Sequence, residues 1–189
     1  MPPVSSLPEE QSLVAAARRQ EPAAWDRLLA SYQAPLHAYV AELIRDPTAA
    51  QDLVQESFRR AVKHIAGLRE EGRFGSWLFG IAHQQCLQYF RKDRRHRERF
   101  AESLEPLEEP VDEGVADPCS HLMRQEEAEA FFVLMERLPA AQRSVLLLHI
   151  LEDFSLEEIA VIMAVPVGTV KSRLHHAKRA VRTLVEDTK

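Results

Sequence analysis

A chain of 189 residues with 46% hydrophobic content can bury one moderate core or two small ones, at roughly 100 to 200 residues per domain. Its 24 Lys+Arg against 29 Asp+Glu give a net charge of -5, which as an average speaks against a nucleic-acid protein. The opening MPPVSSLPEEQ lacks the basic and apolar segments of a signal peptide, and no apolar run approaches the roughly 18 residues of a membrane span. No membrane insertion is expected, and the expected location is the cytoplasm.

A short helix is predicted near Leu7 to Arg18. From Pro22 to Ile44 the residues Trp25, Leu28, Leu29, Tyr32, Leu36, Tyr39, Val40 and Leu43 recur with the period of one helix face. Asp46-Pro47 then supplies a cap followed by a proline whose missing N–H costs nothing in a first turn, and the next helix turns Val54, Phe58, Ala61, Val62 and Ile65 inward. Gly67 and the Gly72 to Gly75 region break it. A third long helix is expected from about Phe74 or Ser76 to Arg97, apolar early at Trp77, Leu78, Ile81 and Leu87 and cationic late.

The segment from about Glu102 to His121 has prolines, a glycine and many carboxylates, a composition that neither sustains a helix nor buries much apolar surface. Beyond it Ala128, Phe131, Phe132, Met135 and Leu138 mark a helix, and Pro139 opens another containing Val145 to Leu148. Ser155 with Glu158 forms a capping box ahead of Ile159 and Ile162, and a turn from Ala164 to Gly168 leads into the final helix. No β pattern of any length is present. The reading is an all-α fold of two small helical domains, residues 1–100 and 122–189, joined by an acidic flexible linker at 101–121. The C-terminal domain is a helix-turn-helix, and the two domains are expected to be flexibly tethered when free.

Charge is segregated along the chain. Arg91, Lys92, Arg94, Arg95, Arg97 and Arg99 stand against only Asp93 and Glu98, whereas Glu102 to Asp117 contains no Lys or Arg. Cations return at Lys171, Arg173, Lys178, Arg179 and Arg182 with no carboxylate among them. Two basic surfaces separated by an acidic segment suit two contacts with a polyanion. Cys86 and Cys119 lie far apart and outside any zinc-ligand spacing. His83 and Cys86 alone do not make a metal site, so no metal or cofactor is expected.

In the last helix Val170, Leu174, Ala177, Val181 and Leu184 form one apolar stripe facing its own domain. Lys171, Ser172, His175, Lys178, Arg179 and Arg182 lie opposite, where they reach phosphates or base edges. A capped helix, a tight turn and a second helix so divided is the arrangement that places its second helix in the major groove. The simpler reading, a solvated cationic face complementing the helix dipole, leaves the turn and cap unexplained.

The run LPAAQRSVLLLHILEDFSLEEIAVIMAVPVGTVKSRLHHAKRAV at 138–181 closely resembles the promoter-binding C-terminal domain of extracytoplasmic-function sigma factors, within the sigma-70 family. AAQDLVQESFRRAVKHI at 49–65 and FGSWLFGIAHQQCLQYFRKDRR at 74–95 resemble the domain that binds polymerase and the -10 element. The resemblance implies a non-enzymatic factor that binds core RNA polymerase, directs it to promoter DNA and promotes strand opening, commonly under an anti-sigma factor. It places polymerase docking on Asp52, Leu53, Gln55, Glu56 and Phe58. Contact with the -10 element falls to Trp77, His83, Gln84, Gln88, Arg91, Lys92, Arg94 and Arg95, and -35 reading to Thr169, Lys171, Ser172, Arg173, His175, His176, Lys178 and Arg179.

Trp77 also sits in an apolar stripe, so a core role competes with base stacking there. Departures from the family pattern are His83-Gln84 in place of the usual Arg-Asn, Gln88 in place of Asp, and His176 where Arg is common. The competing reading is a stand-alone helix-turn-helix regulator, which accounts for residues 138–184 and leaves the N-terminal half without a task. An enzyme finds no support, because no Gly-rich phosphate loop, nucleophile elbow or ligand set is present.

Overall fold

The computed structural model describes residues 8–92, 135 and 137–186. Arg94, Arg95, the acidic segment and the helix expected around residues 128–134 lie outside the described residues. Within them the chain forms α1 (Pro8–Arg18), α2 (Pro22–Ile44), α3 (Pro47–His64), α4 (Phe74–Lys92), α5 (Ala140–Leu146), α6 (Leu156–Met163) and α7 (Val167–Glu186), with no strand. Two single 3₁₀ turns, Ile65–Gly67 and Glu71–Arg73, occupy the break expected between α3 and α4.

Local chemistry sets most of the boundaries. The Asp46 side chain accepts from the Ala49 N–H at 3.0 Å, and Pro47 follows in the first turn of α3. Arg45, in the left-handed region at φ 60°, closes α2 with its N–H on the Ala41 carbonyl. Ser155 and Glu158 form the expected capping box at α6, and Ala164 at φ 54° ends that helix. A feature without a sequence signal is the π turn Leu147–Leu151 that continues α5. Its wider winding keeps both Leu147 and Leu148 buried.

α2 is the axis of the N-terminal half. Its stripe Trp25, Leu28, Tyr32, Leu36, Tyr39, Val40 and Leu43 is buried, and α1, α3 and α4 pack around it. Gly75 is required where α4 meets α2, because a Cβ there would lie 2.8 Å from the Tyr32 hydroxyl oxygen. In the C-terminal half α7 buries Val170, Leu174 and Ala177 against α5 and α6.

The two halves share one continuous core, which differs from the free tethering expected of them. α6 lies on α4 closely enough that a Cβ at Gly80 would make ordinary van der Waals contact with the Ile162 backbone, 3.8 Å from its Cα. The rings of Phe79 and Phe154 meet edge to face with centroids 5.0 Å apart, and both side chains are buried. Burying a side chain of this size contributes about 1.5–3 kcal/mol. Arg143 of α5 donates to the Leu43 carbonyl at 3.1 Å, in the last turn of α2 where carbonyls lack helical partners. Apolar complementarity at this seam was invisible to a reading that took each helix face separately.

Candidate nucleic-acid interface

The turn between α6 and α7 spans Ala164 to Pro166. The Ala164 N–H bonds back to α6 at Ala160 and Val161, and the Pro166 carbonyl accepts from Thr169 and Val170 to start α7. α7 is thereby held rigidly against α6 as a helix-turn-helix. Lys171, His175, Arg179 and Arg182 are exposed, whereas Thr169, Ser172, Arg173, His176 and Lys178 are half-buried. The Thr183 hydroxyl donates to the Arg179 carbonyl, and the His175 and His176 rings stand nearly perpendicular, 5.8 Å apart. Lys171, His175, Arg179 and Arg182 follow one another at three or four residues, so they line one ridge whose Lys and Arg suit a phosphate row.

On α4 the half-buried Trp77 and the exposed Gln84, Gln88 and Arg91 share one stripe, with Lys92 exposed beside it. Trp77 leans on Phe74 with centroids 5.9 Å apart, so its ring is partly core and partly presented to solvent. This stripe offers amide and guanidinium donors to unpaired bases and backbone. His83 does not belong to it. It is 2% exposed and points to the opposite side, where its Nδ1 and the Tyr39 hydroxyl share a hydrogen bond at 2.7 Å.

Burial, with the positive Arg173 nearby, pushes His83 down to about 4, while burial holds the Tyr39 hydroxyl far above its usual value and so protonated. His83 is therefore not presented with the other residues of this stripe, which differs from the grouping expected of it. Arg173 is likewise turned partly from solvent, and burial lowers its guanidinium below the usual range.

α3 presents Asp52 and Gln55 to solvent, with Leu53, Glu56 and Phe58 half-buried. Glu56 is held by its own helix: its carboxylate accepts from Arg60 Nε at 2.7 Å and pairs with Arg59. The Arg60 hydrogen bond leads in lowering its carboxyl below the ordinary value. With its amide turned to face the guanidinium, Gln85 on α4 accepts from Arg60 at 2.7 Å, tying α3 to α4. Sequence reasoning missed Arg60, Tyr39, Gly80 and Arg143, because each acts through a partner far along the chain.

Two family descriptions match this chain: "Sigma-70 region 2" over residues 28–96 and "Sigma-70, region 4" over residues 128–181. The chain is 29% identical over 177 residues to the RNA polymerase sigma-H factor of Pseudomonas aeruginosa, covering 92% of each protein. It is also 29% identical over 183 residues to the ECF RNA polymerase sigma-E factor of Salmonella typhimurium, covering 94% of each.

Among solved structures it is similar in fold to CnrH in complex with the cytosolic domain of CnrY, with a TM-score of 0.69 and 20% identity over 95% of this chain and 99% of that one. It is similar too to the sigma factor RpoE of Bartonella quintana in complex with the anti-sigma factor NepR, with a TM-score of 0.64 and 24% identity over 85% and 96% of the two chains. The region 2 match gives the N-terminal half the task that a stand-alone regulator would leave it without, and removes that alternative. With region 2 on α2 to α4 and region 4 on α5 to α7, the chain belongs to the extracytoplasmic-function group of the sigma-70 family and is a sigma factor of bacterial RNA polymerase.

Proposed function

We propose a division of labour among three helices. α3 docks on a helical surface of core polymerase through Leu53 and Phe58, flanked by Asp52 and Gln55; α4 takes the opened -10 strand on Trp77, Gln84, Gln88, Arg91 and Lys92; α7 reads the -35 element. Arg94 and Arg95 extend the basic end of α4 in sequence and join the same task. Glu56 serves by setting the local field with Arg59 and Arg60. The domain limits follow the same division, with 1–100 and 122–189 as binding units and 101–121 as the connection.

The observation that carries this reading is the exposed row Lys171, His175, Arg179 and Arg182, with no carboxylate between residues 166 and 182. Phosphate contacts supply affinity, and Ser172 and His175 sit where base edges are discriminated. No covalent step belongs to the factor. Opening a few base pairs costs a few kcal/mol, offset by contacts to the displaced strand. No described helix is long and apolar enough to cross a membrane, in keeping with work in the cytoplasm alongside polymerase.

The Bartonella neighbour is in complex with an anti-sigma factor, and we propose a partner of that kind for this chain. The test is co-elution with core polymerase and run-off transcription from a promoter obtained by genomic selection. Promoter-specific transcripts support the reading; transcription that ignores the Lys171→Ala and Arg179→Ala substitutions overturns the placement of -35 reading on α7.

A further inference from the structure

We propose that Gln85 and Tyr89 are positioning residues for the opened -10 strand: bonded to Arg60 and Asp46 of α3, they fix the roll of α4 and so aim Gln84 and Gln88. The role rests on the placement of that strand on α4. Two identical side chains in succession have opposite fates there. Gln84 is exposed, whereas Gln85 is 5% exposed and bonds to α3.

A buried amide is costly unless its polar atoms find partners. With its oxygen turned to the guanidinium, Gln85 accepts from one terminal nitrogen of Arg60 at 2.7 Å and from Nε at 3.2 Å. One turn further along α4, the Tyr89 hydroxyl donates to the Asp46 carboxylate at 3.4 Å. Both partners are themselves held on α3. Asp46 accepts from the Ala49 N–H as the cap of that helix, and Arg60 Nε donates to Glu56 at 2.7 Å. The grip on α3 therefore falls at its start and near its end.

Spacing turns these bonds into a constraint on aim. Residues 85 and 89 lie four apart on one face of α4, and residues 84 and 88 lie four apart on the next, each immediately before a bonded residue. Apolar burial is non-directional, whereas a hydrogen bond is confined to a narrow range of length and angle. A roll of about 20° moves a side-chain tip roughly 6 Å from the helix axis by about 2 Å, well outside the spread of hydrogen-bond lengths. The same roll carries Gln84 and Gln88 through the same arc, far enough to misplace an amide against a base edge. Neither Gln85 nor Tyr89 is itself assigned to polymerase or to DNA, so removing its bond leaves both sets of contacting atoms in place.

The test uses the full chain with core polymerase on a promoter recovered by genomic selection, beside the same promoter carrying single base changes in its -10 element. The ratio of run-off transcripts from the two measures discrimination. Gln85→Leu with Tyr89→Phe removes both bonds at nearly constant volume; core affinity should be retained while discrimination falls several-fold. Tyr89→Phe alone, which loses one oxygen and keeps the ring, should show a smaller fall in the same direction. Gln85→Glu offers Arg60 a carboxylate in place of the amide and should keep the native ratio.

Native discrimination in the double variant overturns the proposal. So does a matched loss of core affinity and of transcription from every promoter, which a merely structural bond would give. Gln84→Ala with Gln88→Ala separates the role from the reading beneath it. Undiminished discrimination in that pair would count against the placement of the strand on α4, whereas a fall there with none in the double variant would remove the positioning role alone.

Discussion

Glu10 enters the seam between α1 and α2 with both oxygens shielded from water, beside a Tyr32 hydroxyl that makes no complete hydrogen bond with it. Burial pushes its carboxyl up to about 7. The folded state therefore holds more protons on Glu10 than the unfolded state between its ordinary 4.5 and about 7, and that contribution to stability falls as pH rises through this window. Glu10→Gln should stabilise the chain by about 2 kcal/mol at pH 8 and leave it unchanged near pH 4, read by urea denaturation at both values.

His83 works in the opposite sense. Its imidazole is depressed from 6.5 to about 4, so stability is full above 6.5 and declines as pH falls toward 4. His83→Gln keeps an acceptor for Tyr39 and should flatten that acid limb by about one proton. An unchanged slope would mean that other groups govern the acid limb. The position was conspicuous in the sequence as a departure from the family pattern, but its meaning was not. Only the meeting of α4 with α2, where Tyr39 bonds the imidazole, shows that the side chain is buried.

At the scale of elements, helix limits were largely legible because they are written in short-range chemistry: Asp46-Pro47, Ser155 with Glu158, and the turn after Met163. The apolar stripe of α7 was legible for the same reason, and with it the exposed row opposite. Lys171→Ala and Arg179→Ala should each weaken -35 DNA binding and lower the slope of log affinity against log salt by about one, with polymerase binding retained. Equal slopes in mutant and native protein would place those cations off the DNA. What escaped the sequence was the π turn after α5 and the burial of His83 and Arg173. The first has no local code, and the second depends on residues more than forty positions away.

Across the whole molecule, the two helical domains were legible and their union was not. Periodicity reports that a helix has an apolar face; it does not say which distant face covers it. Phe79 and Phe154, which no local pattern singles out, meet across the seam between the two halves, and Gly80 and Ile162 lie together beside them. Because the core is continuous, calorimetry of the native chain should show one cooperative transition, and Gly80→Glu should divide it into two. Two separate transitions in the native protein would show that the seam is too weak to couple the domains.

Arg143 carries a further consequence for the corner between α2 and α3. The carbonyl it holds belongs to the end of α2, and the next helix begins at Pro47. When the seam parts, that helix end loses a partner contributed from a hundred residues away. Amide hydrogens of the final turn of α2 should then exchange faster with solvent. Exchange at this corner becomes a reporter of closure that needs no label. It also sits immediately before the helix proposed to meet polymerase. Thermodynamic reciprocity then requires that any polymerase contact which distinguishes the two forms of this corner also shifts the balance between them.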